Sequence, residues 1–281
     1  MSRACHERAV AGHEPAGHEI VRTRGGALAI RSLADGEVMH PGVGPLIEAE
    51  QLYVRQSRLR DRLLAGQSGE VGRLVLFDVG LGAGSNALSA RSASEGLPEA
   101  AARLELVSFE RDFGALGLAL AAGEPFGWRG EPADAARALL AHDAHETRRT
   151  HWRLVRGDLL EGLARQTVRA DIVYWDPFSP RANPALWTVA AFWQARCVAG
   201  PRCALYTYSA STATRLALLL AGWAVGVGDA IGDKAQTTAA AVEPSDLARP
   251  LDRRWLARLS LPDVPLPPDA PSDAIPRARL A

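Results

Sequence analysis

The segment from residue 74 to residue 88 constrains the fold of this chain more than any other. An apolar run over residues 74–79 contains one acid, Asp78, and ends in a turn with glycine at every second position. The glycines are Gly80, Gly82 and Gly84. Glycine permits a sharp turn and a close approach of ligand to backbone, and the helix start expected at Ser85 offers unpaired N–H groups. The segment predicts a nucleotide-type ligand site at the head of an α/β domain.

The rest of the chain continues this alternation of short apolar runs and helical segments. The apolar runs after the first lie at 104–110, 152–157, 171–175 and 204–208. Such alternation is typical of a parallel sheet covered by helices on both faces. A last pair of runs, 223–227 and 236–242, predicts an antiparallel hairpin. We therefore predict a Rossmann-like α/β fold with a mostly parallel sheet of seven strands, closed by a C-terminal hairpin.

The sequence divides into three regions. Residues 1–18 are interpreted as a flexible leader and residues 19–242 as the folded domain. Within that domain, 19–40 predicts a small hairpin around Gly25-Gly26, and Pro45 begins a helix that runs to about residue 64. In 243–281 a helix-like segment around Trp255 gives way to a proline-rich, partly disordered tail.

Composition and charge exclude several classes of protein. The chain has 281 residues, enough for one domain with its own core, and its 32 Lys and Arg balance 32 Asp and Glu. A chain without net charge is not a general binder of polyanions. The arginines of 55–62 and 148–149 are therefore interpreted first as solvated helix faces and second as local basic patches.

The cysteines and the length of the apolar runs indicate which other features we do not expect in this protein. Only Cys5, Cys197 and Cys203 occur, without a Cys-x-x-Cys pair, so we expect no metal site and a reducing, cytoplasmic environment. No apolar run approaches the ~20 residues that span a bilayer, and the N-terminus lacks the apolar stretch of a signal peptide. We therefore expect no membrane contact. The sequence favours no particular oligomeric state.

Two acids follow other predicted strands, at the edge where ligands bind in open parallel sheets. Glu110 ends the second strand, where its carboxylate is placed to accept both hydroxyls of a ribose. The alternative is a surface acid paired with Arg111. Asp158 is suited to accept from an adenine amino group, or to cap the next helix. Both alternatives stay open for each acid.

The run Asp176-Pro177-Phe178-Ser179-Pro180 is the second informative segment. Proline fixes the backbone just past a strand, so an acid is held beside a flat aromatic surface. That combination suits an amine carried on a planar ring. Asn183 and Trp187 continue the segment as candidate pocket residues, although Trp187 is equally suited to the core.

Two stretches together resemble the MnmC-like methyltransferase family. They are Phe-Asp-Val-Gly-Leu-Gly-Ala-Gly-Ser-Asn at 77–86 and Asp-Pro-Phe-Ser-Pro-Arg-Ala-Asn-Pro-Ala-Leu-Trp-Thr at 176–188. Residues 44–54, 205–210 and 232–234 extend the similarity to roughly residues 36–240. The resemblance implies a class I methyltransferase fold that uses S-adenosylmethionine. It also implies transfer of a methyl group to an amine nitrogen, that of the 5-aminomethyl group on the wobble uridine of tRNA.

The resemblance also implies roles for single residues. The cofactor-binding set is Asp78, Gly80, Gly82, Gly84, Asn86, Glu110 and Asp158. Asp176 is the expected catalytic residue beside the amine, and the expected substrate-binding residues are Pro177, Phe178, Asn183, Trp187 and Lys234. The family's Asp-Gly-Phe-Ala-Pro reads Asp-Pro-Phe-Ser-Pro here, and its basic run is reduced to Lys234, the one lysine in the sequence.

Other functions remain alternatives. A methyltransferase of a small amine would share the fold, and the zero net charge favours it over one that acts on RNA. A homologue that binds RNA without catalysis is a third class. Residues 82–87 also fit the Gly-x-Gly-x-x-Ala pattern of nicotinamide dehydrogenases, but no residues for hydride chemistry accompany them. An aminopropyltransferase lacks a second acidic cluster for a polyamine.

Overall fold

The computed structural model describes residues 17–23, 25–66, 72–232, 234–261 and 263–271. These residues form a small hairpin followed by a large sheet with helices on both faces. The hairpin consists of β1, His18–Arg22, and β2, Leu28–Ser32, which pair antiparallel as predicted. Most of the predicted leader, residues 1–16, lies outside the described residues, and His18 already belongs to β1.

The large sheet contains eight strands: β3 Arg73–Val79, β4 Arg103–Glu110, β5 Ala144–Glu146, β6 Thr150–Arg156, β7 Ala170–Trp175, β8 Ala199–Thr207, β9 Ala224–Gly228 and β10 Thr237–Ala241. Their order across the sheet is β5-β6-β4-β3-β7-β8-β10-β9. The five strands from β6 to β8 are parallel, whereas β5, β10 and β9 run antiparallel to their neighbours.

The helices are α1 Pro45–Glu48, α2 Leu59–Leu64, α3 Ser85–Glu95, α4 Gly114–Ala122, α5 Glu131–His142, α6 Leu159–Ala164, α7 Val189–Cys197, α8 Thr212–Leu220 and α9 Arg253–Ala257. A π-helical segment, Ala49–Arg55, follows α1. The α9 helix contains Trp255, as the sequence predicts.

Alternating side chains of the central strands build two cores, one on each face of the sheet. In β3, Leu74 and Leu76 belong to the first core and Val75 and Phe77 to the second. Because successive side chains of a strand point to opposite faces, a strand that is covered on both faces is apolar throughout. The near-continuous apolar runs of the sequence are therefore confirmed as central parallel strands.

Two details differ from the prediction. The sheet has an eighth strand, β5, at its edge. This strand is three residues long and largely exposed, so its sequence has no apolar run from which a strand could be predicted. The stretch predicted to be helical from Pro45 to about residue 64 is helical apart from a break between residue 55 and Leu59, where Arg58 has a left-handed backbone with φ 54°. At this break the Ser57 hydroxyl donates to Val54 O and bonds to Tyr174 Oη at 3.0 Å, so a tertiary contact to β7 accompanies the break.

The topology brings the two informative segments together. From β3 the chain builds outward through β4 and β6, and then returns to place β7 against the other side of β3. Val79 is opposite Trp175, and the Asp176 N–H donates to Val79 O at 3.0 Å. The crevice at such a reversal is where open α/β sheets bind ligands.

Candidate functional site

A cavity of about 750 Å³ opens at the carboxyl ends of β3, β4, β6 and β7. Its walls are the loops after these strands and residues 34–41, which lead from the hairpin to α1. The predicted site residues in its lining are Gly80, Gly82, Glu110, Asp158, Asp176, Pro177, Phe178, Asn183 and Lys234. Residues far apart in sequence therefore share one space.

The glycine loop has the backbone that its sequence predicts. Gly80 and Gly84 have φ of +85° and +81°, in the left-handed region that favours glycine. A Cβ on Gly80 would come within 2.9 Å of Asp176 O, and one on Gly84 within 2.6 Å of the Trp128 ring. Trp128 also fixes the loop by donating from Nε1 to Ala83 O at 3.0 Å. The loop is thus held close to the Asp176 segment.

Glu110 connects the end of β4 to the glycine loop. One carboxylate oxygen accepts from Gly82 N at 2.9 Å, and the other accepts from the N–H groups of Arg111 and Asp112 at 2.8 and 3.0 Å. Each carboxylate oxygen can accept more than one hydrogen bond, so capacity for a ligand hydroxyl remains. The alternative ion pair with Arg111 is replaced by a bond to the Arg111 backbone.

Asp158 caps a helix and also lines the cavity, so its predicted role toward adenine stays a prediction. It is the N-cap of α6, where its Oδ1 accepts from Glu161 N at 3.1 Å. It also lines the cavity, near Gly157 and Leu159. A cap uses one carboxylate oxygen, so the second is free to accept from a ligand donor.

Asp176 is the most enclosed acid in the lining, with 10% of its side chain exposed. Its Oδ2 accepts from Asn86 Nδ2 at 2.7 Å. Burial raises the pKa of this carboxyl, while His40, Tyr53 and Asn86 act in the opposite direction. The group is therefore a carboxylate partly deprived of water, whose charge would be stabilised by a ligand cation.

Four predicted ligand residues lie behind the cavity lining. Gly84 contacts Trp128, and Asn86 supports Asp176. Trp187 is 2% exposed and donates to Phe178 O at 2.8 Å, which fixes the Phe178 backbone from the core side. Asp78 is fully buried and accepts from Ser108 Oγ at 2.8 Å. These four residues are outside the cavity lining, and the direct ligand contacts expected for them stay predictions.

Asp78 has a strongly altered acidity. Burial raises its pKa to about 7, and the hydrogen bond from Ser108 offsets only part of that effect. Within the part of the chain that the structure describes, its Oδ1 has no hydrogen-bond partner. Asp78 is thus a buried acid that supports the loop, and it is available as a proton-holding group at neutral pH.

The structure adds residues that the sequence did not single out. His40 Nδ1 is 3.5 Å from Glu48 Oε2, and His40 Nε2 is 3.7 Å from Asp176 Oδ2. Burial lowers the pKa of His40, but Glu48 and Asp176 outweigh this and raise it overall. Tyr53 is fully buried beside Asp176. The available signal was that His40 lies four residues before the 44–54 stretch, which contains Glu48 and Tyr53.

Lys234 and Tyr208 also line the cavity. Lys234 Nζ lies 4.4 Å from the centre of the Tyr208 ring, a cation–π distance, and Tyr208 Oη donates to Pro177 O at 3.2 Å. Burial lowers the pKa of Lys234, against the pull of Glu48 and Asp176. The one lysine of the sequence is therefore part of the same polar wall.

The arginine-rich stretches have structural partners. Arg149 is buried and donates to Ala101 O and Ala102 O, and Arg148 pairs with Glu99. Arg60 pairs with Glu50. These contacts argue against a basic patch. The interpretation as a solvated helix face is wrong for Arg148 and Arg149, because both lie in the turn between β5 and β6 and Arg149 is buried. In the described residues, no group of three or more His, Cys, Asp or Glu is arranged to hold a metal ion, and no helix there is long and apolar enough to cross a membrane.

Comparisons with known proteins agree with this geometry. A family model described as S-adenosyl-L-methionine-dependent methyltransferase matches residues 135–243. The crystal structure of MnmC2 from Aquifex aeolicus superposes with a TM-score of 0.72 at 23% identity, covering 94% of this chain and 86% of that one. The predicted fold class, enzyme class and cofactor are therefore confirmed: residues 135–243 match the S-adenosylmethionine-dependent methyltransferases, on a fold shared with MnmC2.

The particular relative that the sequence resembles is MnmC, the bifunctional protein of tRNA 5-methylaminomethyl-2-thiouridine biosynthesis. The protein from Methylibium petroleiphilum is 29% identical over 228 residues, covering 79% of this chain and 34% of that protein. The one from Azoarcus sp. strain BH72 is 31% identical over 212 residues, covering 73% and 33%. The chain thus spans about a third of the length of these relatives, and the predicted resemblance is confirmed over that part.

Proposed function

We propose that this protein transfers the methyl group of S-adenosylmethionine to an amine nitrogen, and that the amine is the 5-aminomethyl group of wobble uridine in tRNA. One observation carries the proposal: a single cavity joins the glycine loop and Glu110 to the buried carboxylate of Asp176. The named function of the MnmC relatives supplies the acceptor. A tRNA substrate would place the protein in the cytoplasm.

The donor end of the cavity suits an adenosine-bearing cofactor. The left-handed glycines leave room that a Cβ would fill, and the carboxylates of Glu110 and Asp158 are acceptors for ribose hydroxyls and an adenine amino group. Gly80, Gly82, Glu110 and Asp158 would hold the cofactor, with Asp78 and Gly84 supporting the loop. When bound, S-adenosylmethionine supplies an electrophilic methyl group on a positively charged sulfur.

The acceptor end suits a primary amine on a base. A primary alkyl ammonium has a lysine-like pKa of about 10, so it enters charged and must lose a proton before it attacks. Asp176 would bind the ammonium and then orient the neutral amine, and alignment within the cavity would supply much of the acceleration. Phe178 would stack on the uracil ring, as aromatic side chains do with single-stranded RNA bases. Lys234 would contact the RNA beside it.

A small amine is the second candidate acceptor. The zero net charge of the chain favours it, because binding to RNA depends strongly on positive charge. The two candidates share donor, mechanism and Asp176, and differ only in what carries the amine.

The test is transfer of labelled methyl from S-adenosylmethionine to tRNA carrying 5-aminomethyl-2-thiouridine, compared with a small-molecule extract. We expect label in tRNA, a loss of at least about 100-fold in Asp176→Asn, and unchanged binding of S-adenosylhomocysteine by calorimetry in that variant. Glu110→Gln should instead weaken that binding by roughly tenfold or more, since a hydrogen bond to a charged group contributes about 1.5–3 kcal/mol. Glu124→Gln, at an exposed surface pair, is the control. Label confined to the extract would favour the small amine, and near-normal turnover of Asp176→Asn would refute its role.

A further inference from the structure

His40 lies between two carboxylates that come from distant parts of the chain. Glu48 belongs to α1 and Asp176 follows β7, and the imidazole approaches the first through Nδ1 and the second through Nε2. All three side chains line the cavity and are 10–13% exposed. A ligand nitrogen bound to Asp176 would therefore also lie near the Nε2 edge of the imidazole.

The backbone at His40 is held in an uncommon conformation. Its φ of 51° is left-handed, which among the described non-glycine residues recurs only at Arg58 and Asp143. Residues with a Cβ rarely adopt this region, and instances concentrate at functional sites, where the surroundings enforce them. Here Gly42 N donates to Glu48 Oε1 at 2.9 Å, so the turn that carries His40 is fastened to the same carboxylate that faces its ring.

We propose that His40 accepts the proton released by the amine that is methylated, and that Glu48 is a positioning residue which orients the imidazole for this step. The inference rests on the proposed function, because that function supplies the amine. The assignment makes His40, together with Asp176, a catalytic residue of the acceptor end.

The proton balance of the step is simple. The ammonium bound at Asp176 gives one proton to Nε2 of neutral His40, which leaves a lone pair on the nitrogen. The new nitrogen–carbon bond forms as the carbon–sulfur bond of the sulfonium breaks, and sulfur keeps that electron pair. The product leaves as a secondary ammonium, and the imidazolium returns its proton to water.

The charges around His40 explain how it becomes neutral when substrate binds. The charged groups that face it are Glu48 on one side, Asp176 on the other and Lys234 beyond them, with the Tyr53 hydroxyl beside Asp176. The two carboxylates favour the protonated imidazole, and Lys234 acts in the opposite direction. An incoming ammonium adds a further cation, so it favours loss of the His40 proton.

The variant that isolates the imidazole is His40→Asn, because asparagine tolerates a left-handed backbone. We expect its methyl transfer to tRNA at pH 7 to fall about 100-fold or more and to recover at high pH, where the amine deprotonates unaided. Its melting temperature and its affinity for S-adenosylhomocysteine should match those of the wild type. His142→Asn, the same change at the exposed end of α5, is the control and should keep wild-type turnover.

A second measurement needs no turnover. With labelled histidine, NMR titration should place the His40 midpoint above its ordinary value, and Glu48→Gln or Asp176→Asn should lower it. Addition of 5-aminomethyluridine to the protein saturated with S-adenosylhomocysteine should lower it further. The proposal is overturned if His40→Asn has the same pH–rate profile as the wild type. It is also overturned if the titration midpoint of His40 is unchanged by Glu48→Gln, by Asp176→Asn and by the nucleoside. If the wild type methylates no tRNA, the proposed acceptor is wrong, and the titration still decides whether His40 responds to an amine.

Discussion

Replacement of Gly80 by alanine tests whether the glycine loop and the Asp176 segment form one unit. Gly80 has φ +85°, and a Cβ there would lie 2.9 Å from Asp176 O and 3.0 Å from Pro177 Cα. Both neighbours are backbone atoms that follow a buried central strand, so neither moves away as a flexible side chain would. The strain must therefore shift the loop, the Asp176 segment or both.

The expected size follows from two costs. A left-handed backbone costs a residue with a Cβ about 1–2 kcal/mol, and overpacking costs about 1–3 kcal/mol. The free energy of unfolding should thus fall by about 2–5 kcal/mol, which in a chain of this size lowers the melting temperature by at least about 4 °C. Because Gly80 lines the cavity, affinity for S-adenosylhomocysteine should fall at least about tenfold, the equivalent of 1.4 kcal/mol.

The assays are thermal unfolding by circular dichroism and calorimetry with S-adenosylhomocysteine. The matched control is Gly117→Ala in α4, where an added Cβ meets nothing within 4 Å. That change should stabilise the protein by about 0.5–1 kcal/mol, because alanine is the better helix former, and should leave binding unchanged. If Gly80→Ala behaves like its control in both assays, the close contact between loop and segment is not part of the site.

Two further predictions concern stability. Asp78, with its pKa raised by burial to about 7, keeps a proton in the folded state that the unfolded chain has released above about pH 4. The free energy of unfolding should therefore fall as pH rises from 4 to 7, and Asp78→Asn should flatten that slope in urea titrations; an unchanged slope would contradict the assignment. Arg149→Met should cost about 3 kcal/mol or more, because buried carbonyls of 101 and 102 lose their donor, whereas Arg148→Met at an exposed pair should cost less than about 1 kcal/mol. Equal effects of the two arginine variants in urea unfolding would refute this distinction.

Much of the fold was predictable because its signals are local. The apolar runs of β3 and β7 follow from burial on both faces, and the glycine turn follows from backbone that only glycine adopts easily. The edge strand β5 and the break at Arg58 were not predictable in this way. The first is too short and exposed to carry a pattern, and the second accompanies a contact between Ser57 and Tyr174.

The candidate site also contains residues that local sequence signals identify and residues whose placement depends on tertiary packing. Glu110, Asp158 and Asp176 were singled out from the sequence because each lies at the end of a strand or within two residues of it, and the carboxyl ends of parallel strands meet at one edge. Asp78 and Trp187 belong to the same motifs, yet they face the core. A motif identifies which residue types recur together, whereas the direction of each side chain depends on how the strand and loop pack.

By itself, then, the sequence determined the α/β architecture, the glycine loop and the acids at the strand ends, since periodicity and chain connectivity are enough to establish them. Only the tertiary structure decided that His40, from the segment before the sheet, lies between Glu48 at 3.5 Å and Asp176 at 3.7 Å. The physical reason is that charge coupling depends on distance in space. No pattern in the sequence indicates that a turn near residue 40 packs against the end of a strand that begins at residue 170.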